Sequence, residues 1–142
     1  MIITNVAFSD LKSIADMTKE NFIDSWSLSM LESSFNSDGF FGFKISDETG
    51  VLSVAVFGGV LEERELYFIV TRSDARKKGY AKDLLNHAFT ALKNAGVEKI
   101  FLEVREGNKG AINLYTETGF VKISERKNYY GTETAVIMQK EL

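Results

Sequence analysis

The chain has 142 residues, 44% of them hydrophobic and 26% charged, with a net charge of −3, which predicts one ordinary globular domain over residues 1–142. With no cysteine and a single histidine, a disulfide framework, thiolate catalysis, a cysteine zinc site and a histidine cluster are excluded, and no metal is expected. The acidic balance disfavours nucleic acid, no apolar run reaches the length of a membrane span, and residues 1–8 lack the basic flank of a secretory signal, so a cytoplasmic protein without nucleic-acid or membrane partners is expected.

Residues 1–6 read as a first strand. Ser9 is placed to cap a helix running to about Asn21, with Leu11, Ile14 and Ala15 on one face. Ser27 is placed to cap a second, short helix carrying Leu28, Leu31 and Phe35. Residues 40–46 form a strand, 47–50 a turn and 51–60 the return strand. After a turn at Glu62 and Glu63, residues 66–71 make a continuous apolar strand covered on both faces. A long helix follows, with Ala81, Leu84, Leu85, Ala88, Leu92 and Ala95 at helical spacing and Gly96 as terminator. Residues 98–105 are the next strand. Asn108 caps a helix that reaches Thr118, and Gly119 ends it. Residues 120–126 and 134–140 are the last strands, joined by a tyrosine-rich connection. The order βααβββαβαββ predicts an α+β fold: a mixed, mostly antiparallel sheet flanked by helices. No proline occurs anywhere in the chain.

Two places carry chemistry. The first is the turn Arg76-Lys77-Lys78-Gly79-Tyr80-Ala81 between a buried strand and the long helix. The first N–H groups of a helix lack internal acceptors, and the helix dipole adds positive potential there. A glycine lets an anion approach the backbone. A Walker loop and a dinucleotide fingerprint both need glycines that are missing here, which leaves a pyrophosphate on a shorter loop, or a solvated basic helix start.

The second place is the strand containing Glu103. Alternation puts Ile100, Leu102 and Val104 on one face and Phe101, Glu103 and Arg105 on the other. A partly buried carboxylate loses its proton less readily, which suits a general base near neutral pH. Taken alone, an exposed glutamate near a strand tip is the commoner case. Tyr115 follows Ala111 and Ile112 at helical spacing and points partly inward. Taken alone, a core tyrosine with its hydroxyl at the rim is the better reading.

In combination, these residues resemble the GNAT superfamily of N-acetyltransferases. Arg76 to Ala81 fits its pattern Arg/Gln-x-x-Gly-x-Gly/Ala, and the likeness spans nearly the whole chain. The chain is most similar to the bacterial ribosomal-protein-alanine N-acetyltransferases. The likeness lies in Leu102-Glu103-Val104-Arg105 with Asn108, Leu114-Tyr115 and Gly119-Phe120, in Arg126-Lys127-Asn128-Tyr129-Tyr130, and in Ser25-Trp26-Ser27. The departures share a theme: Ser25, Ser73 and Gly131 stand where that family commonly has proline, and Ala81 stands where glycine is more usual.

The resemblance implies acetyl-CoA as cofactor and direct acetyl transfer to a protein N-terminal amine. The N-terminal alanine of the eighteenth small-subunit ribosomal protein, a basic partner, is the natural acceptor. It implies that the backbone of Ile69, Val70 and Thr71 pairs with the pantetheine arm. The N–H groups from Lys77 through Lys78, Gly79, Tyr80 and Ala81 to Lys82 would cradle the pyrophosphate, beside the charge of Arg76. Asn108 would touch the cofactor, Glu103 would be the base and Tyr115 the acid. Trp26, Tyr129 and Tyr130 would line the peptide groove or pack the core. Two alternatives remain open on the sequence: acetylation of a small-molecule amine, and a non-catalytic acetyl-CoA-binding module.

Overall fold

The computed structural model describes residues 2–22 and 24–142, with the side chain of Tyr130 also outside the described set. Its elements are β1 (Ile3–Asn5), α1 (Leu11–Asn21), α2 (Leu28–Phe35), β2 (Phe41–Asp47), β3 (Gly50–Val60), β4 (Glu63–Thr71), α3 (Tyr80–Asn94), β5 (Lys99–Arg105), α4 (Lys109–Glu117), β6 (Val121–Tyr130) and β7 (Glu133–Glu141). Their order is the one expected. The strands form one sheet in the order β1-β2-β3-β4-β5-β7-β6, antiparallel except for β4 and β5.

A core lies on each side of the sheet. Leu84, Leu85, Ala88 and Leu92 of α3, together with Tyr115 of α4, join Phe57, Leu66, Ile100 and Leu102. On the other side Leu11 and Ile14 of α1 and Leu31 of α2 join Val54, Val56, Phe68 and Val70. The apolar run of β3 is buried on both faces, whereas β4, expected to be covered on both, alternates buried Leu66, Phe68 and Val70 with half-buried Tyr67, Ile69 and Thr71, whose face opens on a cleft. Alternation on β5 is as expected: Ile100, Leu102 and Val104 are buried, and Phe101, Glu103 and Arg105 only partly so.

Local chemistry explains most boundaries. Ser27 Oγ accepts the N–H of Met30 at 3.1 Å and caps α2, and Asn108 Oδ1 accepts that of Ala111 at 3.2 Å and caps α4. Gly119, at φ 104, ends α4 as expected. Two expected boundaries also need correction. Ser9 does not cap α1: it lies inside a 3-10 turn (Phe8–Asp10), and Asp10 holds that turn by accepting the Ala7 N–H at 2.7 Å. Lys44 also fixes Asp10, at 2.6 Å, a partner 34 residues away that no local pattern reveals. The tyrosine-rich connection is likewise not a loop. β6 runs on to Tyr130 with an irregular register after Arg126 and Asn128 at φ 55. Gly131, one of the positions where the resemblance implies proline, has φ 77, which the proline ring forbids.

The sheet opens in its middle. β4 and β5 pair only at Glu63–Lys99, Arg64–Ile100 and Glu65–Phe101. Beyond that point β4 stays with β3 as far as Thr71, and β5 stays with β7 as far as Arg105. A β-bulge begins where they part: Val56 faces Phe68 but Phe57 faces Leu66, so Tyr67 is the extra residue. Bulges bend a strand and sharpen its twist. Gly58 makes this one fit, since a Cβ there would lie 2.3 Å from the Tyr67 ring.

Candidate active site

A cleft of about 1140 Å³ fills the opened seam. Its first wall is the free edge of β4. The Arg72 N–H donates to Leu52 on β3 at 2.8 Å, and the Val70 carbonyl accepts from Ser53 on β3. Backbone groups alternate sides along a strand, so Ile69 and Thr71 direct theirs into the cleft. The Thr71 carbonyl does meet Arg76 Nε there, at 3.5 Å. Of the three residues expected to face a ligand, Ile69 and Thr71 therefore present backbone to it, while Val70 is turned to β3.

The second wall is the start of α3. Gly79 precedes it in the left-handed conformation, φ 80 and ψ 8, and no side chain caps the helix. A Cβ at Gly79 would meet nothing within 4 Å. The glycine is thus required by backbone conformation, and the space before it is open. The first internal helix bond is Asp83 N–H to Gly79, at 3.0 Å, so the N–H groups of Tyr80, Ala81 and Lys82 are left for an external acceptor. Lys77 is also left-handed, at φ 62. Such a run of turned peptides makes an anion-binding concavity. Arg76, Lys77 and Lys82 line the cleft, and Arg76 is held by Asn21 Oδ1. Lys78 is exposed and is not among the lining residues.

Glu103, Asn108 and Tyr115 line the same cleft. Glu103 is 25% exposed, less enclosed than a buried base would be, and its Oε1 lies 3.8 Å from Arg126 Nη1. Asn108 uses its carbonyl oxygen as the α4 cap, which leaves its amide N–H groups as donors. Tyr115 is 7% exposed and rests edge-on against Phe120. Burial pushes its hydroxyl up to about 12, so it keeps its proton at any ordinary pH. Neighbouring Glu65 is shifted upward, by burial first and by the Glu103 charge second.

At the opposite end, Trp26 is fixed by two contacts with Thr18 Oγ1, which accepts its N–H at 3.0 Å and donates to its carbonyl at 3.1 Å. Its ring lies 5.1 Å from that of Tyr67 and 5.4 Å from that of Phe68. Trp26 both packs against the α1–α2 core and lines the cleft. Tyr129 stays outside the lining, half-exposed, with the Arg126 guanidinium 5.3 Å from its ring. The side chain of Tyr130 lies outside the described residues.

Among the lining residues that the sequence reading did not assign to the site are Tyr67, Asp24 and Glu133. Tyr67 reaches the cleft through its bulge, and the Gly58-Gly59 pair inside an apolar strand is the signal that marks it. Asp24 and Glu133 both hold Arg105, at 2.7 and 3.2 Å, and tie the segment after α1 to the mouth between β5 and β7. Among the described residues no group of acidic or histidine side chains is arranged to hold a metal ion.

The acetyltransferase (GNAT) family profile matches residues 11–120, most of the chain. The chain is an N-acetyltransferase of the GNAT family. It is 29% identical over 142 residues to the [ribosomal protein bS18]-alanine N-acetyltransferase of Haemophilus influenzae, covering 96% of both chains. It is 34% identical over 103 residues to the Salmonella typhimurium enzyme of the same name, about 70% of each. The crystal structure of the Escherichia coli ribosomal-protein-S18-alanine N-acetyltransferase superposes with a TM-score of 0.90 at 28% identity, covering 99% of this chain and 92% of that one. GNAT enzymes draw their acetyl group from an acyl-CoA, and this GNAT cleft suits that group. The open β4 edge matches an extended arm bearing amides, and the uncapped α3 start matches a pyrophosphate.

Proposed function

We propose that the chain acetylates the α-amine of a protein N-terminus, with the N-terminal alanine of a small-subunit ribosomal protein as acceptor. The observation that carries this reading is the single seam in which a free strand edge, an uncapped helix start, a carboxylate and a buried phenol line one cleft. The full-length likeness to enzymes named for alanine acetylation supports the acceptor class.

When bound, acetyl-CoA supplies an acetyl group activated as a thioester. Ile69 and Thr71 hold its extended arm through their cleft-facing backbone groups. The N–H groups from Lys77 to Lys82 hold its pyrophosphate, with Arg76, Lys77 and Lys82 adding charge. Asn108 donates from its amide. With acetyl-CoA bound, an N–H of the β4 edge would be available to polarise the acetyl carbonyl.

An α-ammonium has a pKa of about 8, so most of it must lose a proton before its nitrogen can attack. Glu103 takes that proton at a carboxylate oxygen. Tyr115 holds a proton at its hydroxyl for the thiolate that the transfer releases. Its high pKa makes it a donor throughout the working range and prevents it from acting as a second base. Trp26 and Tyr67 wall the acceptor side. The work takes place in the cytoplasm, where the nascent acceptor is made.

The decisive experiment offers acetyl-CoA and a peptide library varied at its first residues, with transfer read by mass spectrometry. Preference for peptides beginning with alanine is expected. Turnover on polyamines and none on peptides would overturn the acceptor assignment.

A further inference from the structure

Arg126 occupies a position that the reaction scheme leaves unexplained. It pairs with Ala135 on β7, and Arg105 pairs with the same Ala135 from the other side. Paired residues share a face of the sheet, so both arginines project on the face of Glu103. Arg105 is drawn away to Asp24 and Glu133. Arg126 instead directs Nη1 to Glu103 Oε1 at 3.8 Å while its guanidinium carbon lies 5.3 Å from the Tyr129 ring centroid. The irregular register of β6 after Arg126 brings Tyr129, three residues on, beside it.

The pair is unequal. The Arg126 side chain is 60% exposed, whereas that of Glu103 is 25% exposed. A cation largely in water gains little from an exposed ion pair and loses little on leaving it. The carboxylate has more to lose, because it faces Glu65 on the adjoining strand and is less hydrated. An acceptor α-ammonium entering the seam would carry a second positive charge to the same oxygen atoms. Like charges a few ångströms apart repel, so the two cations exclude each other.

We propose that Arg126 is an exchangeable counter-ion for Glu103. It neutralises the carboxylate while the acceptor site is empty and yields that place to the substrate α-ammonium, with the Tyr129 ring retaining the displaced guanidinium. Arg126 is thus a positioning residue that acts through Glu103. It keeps the base oriented and makes entry depend on the acceptor's positive charge. This rests on the reading of Glu103 as the group that meets the acceptor amine.

The test is calorimetric binding of a short peptide with a free N-terminal alanine to the CoA-loaded enzyme, with the N-acetylated peptide as the uncharged control. Arg126→Gln removes the competitor and should tighten the free peptide roughly two- to fivefold, the range for an exposed pair. Arg126→Lys keeps the charge and should restore wild-type affinity. The acetylated peptide should bind all variants alike, and in a Glu103→Gln background the gain should vanish. Unchanged or weaker binding by a folded Arg126→Gln variant would overturn the proposal, as would an equal gain for the acetylated peptide or without Glu103. Turnover by Glu103→Gln separates this from the catalytic scheme. A gain that depends on Glu103 in an enzyme that still turns over as Glu103→Gln would leave the counter-ion in place and remove the base. Lost turnover with no gain would do the reverse.

Discussion

Replacing Glu103 by glutamine keeps the shape of the side chain and removes its capacity to take a proton. Turnover of an alanine peptide should fall by roughly 10²- to 10⁴-fold at neutral pH. It should recover in part as pH rises and the amine deprotonates unaided. Activity within a few-fold of wild type would assign the proton to water. Tyr115→Phe removes only a hydroxyl. It should lower turnover and leave acetyl-CoA affinity close to normal, because the lost interaction forms mainly as the thiolate departs. The same residue has a signature in stability. Burial raises its pKa from 10.0 to about 12, and the charged form is the disfavoured one. The associated stability is complete below pH 10 and is lost as pH rises through 12. Between pH 8 and pH 11 the wild type should lose about 1 kcal/mol more than Tyr115→Phe in urea titrations. Equal losses would mean that the hydroxyl is not enclosed.

Elements make the proposed cofactor site, and its parts separate by mutation and by exchange. At Gly79 any side chain must adopt φ 80, which costs about 1 kcal/mol for alanine. Nothing within 4 Å obstructs a Cβ there, so Gly79→Ala and Gly79→Glu should both fold. Gly79→Glu alone brings a negative charge to the helix start, and calorimetry should show acetyl-CoA binding lost in it and merely weakened in Gly79→Ala. Unchanged affinity in folded Gly79→Glu would remove the pyrophosphate from this turn. Along β4 the amides should divide by direction. Without cofactor Ile69 and Thr71 should exchange hydrogen quickly while Val70, turned to β3, stays protected. Acetyl-CoA should protect the first two, and uniform behaviour of all three in an NMR exchange series would contradict the open edge.

At the scale of the molecule, the parts readable in the sequence are those set by neighbours in the chain. Glu103 showed itself because β5 alternates strictly, and Asn108 because a cap needs only the next turn. Gly79 was visible because a strand, a glycine and a long helix follow one another. Tyr67 was hidden because a bulge is a relation between two strands. The Asp24–Arg105 contact joins residues 81 positions apart, and Asp10, at the start of α1, is paired with distant Lys44. At Gly131 the backbone uses a conformation closed to proline, and the turn after β4 carries an Arg72–Asp74 ion pair of 2.6 Å. The opened seam itself has a consequence for handling the protein. A row of unpaired backbone groups in the middle of a sheet is a template on which another chain's extended segment can build. A cofactor arm lying along that row, as proposed above, would act as a removable guard against self-association. Enzyme stripped of acetyl-CoA and kept concentrated and warm should develop light scattering sooner than loaded enzyme. Gly79→Glu should cloud at the stripped rate whether or not cofactor is added, and equal clouding of stripped and loaded wild type would mean that the seam is too narrow to admit a neighbour.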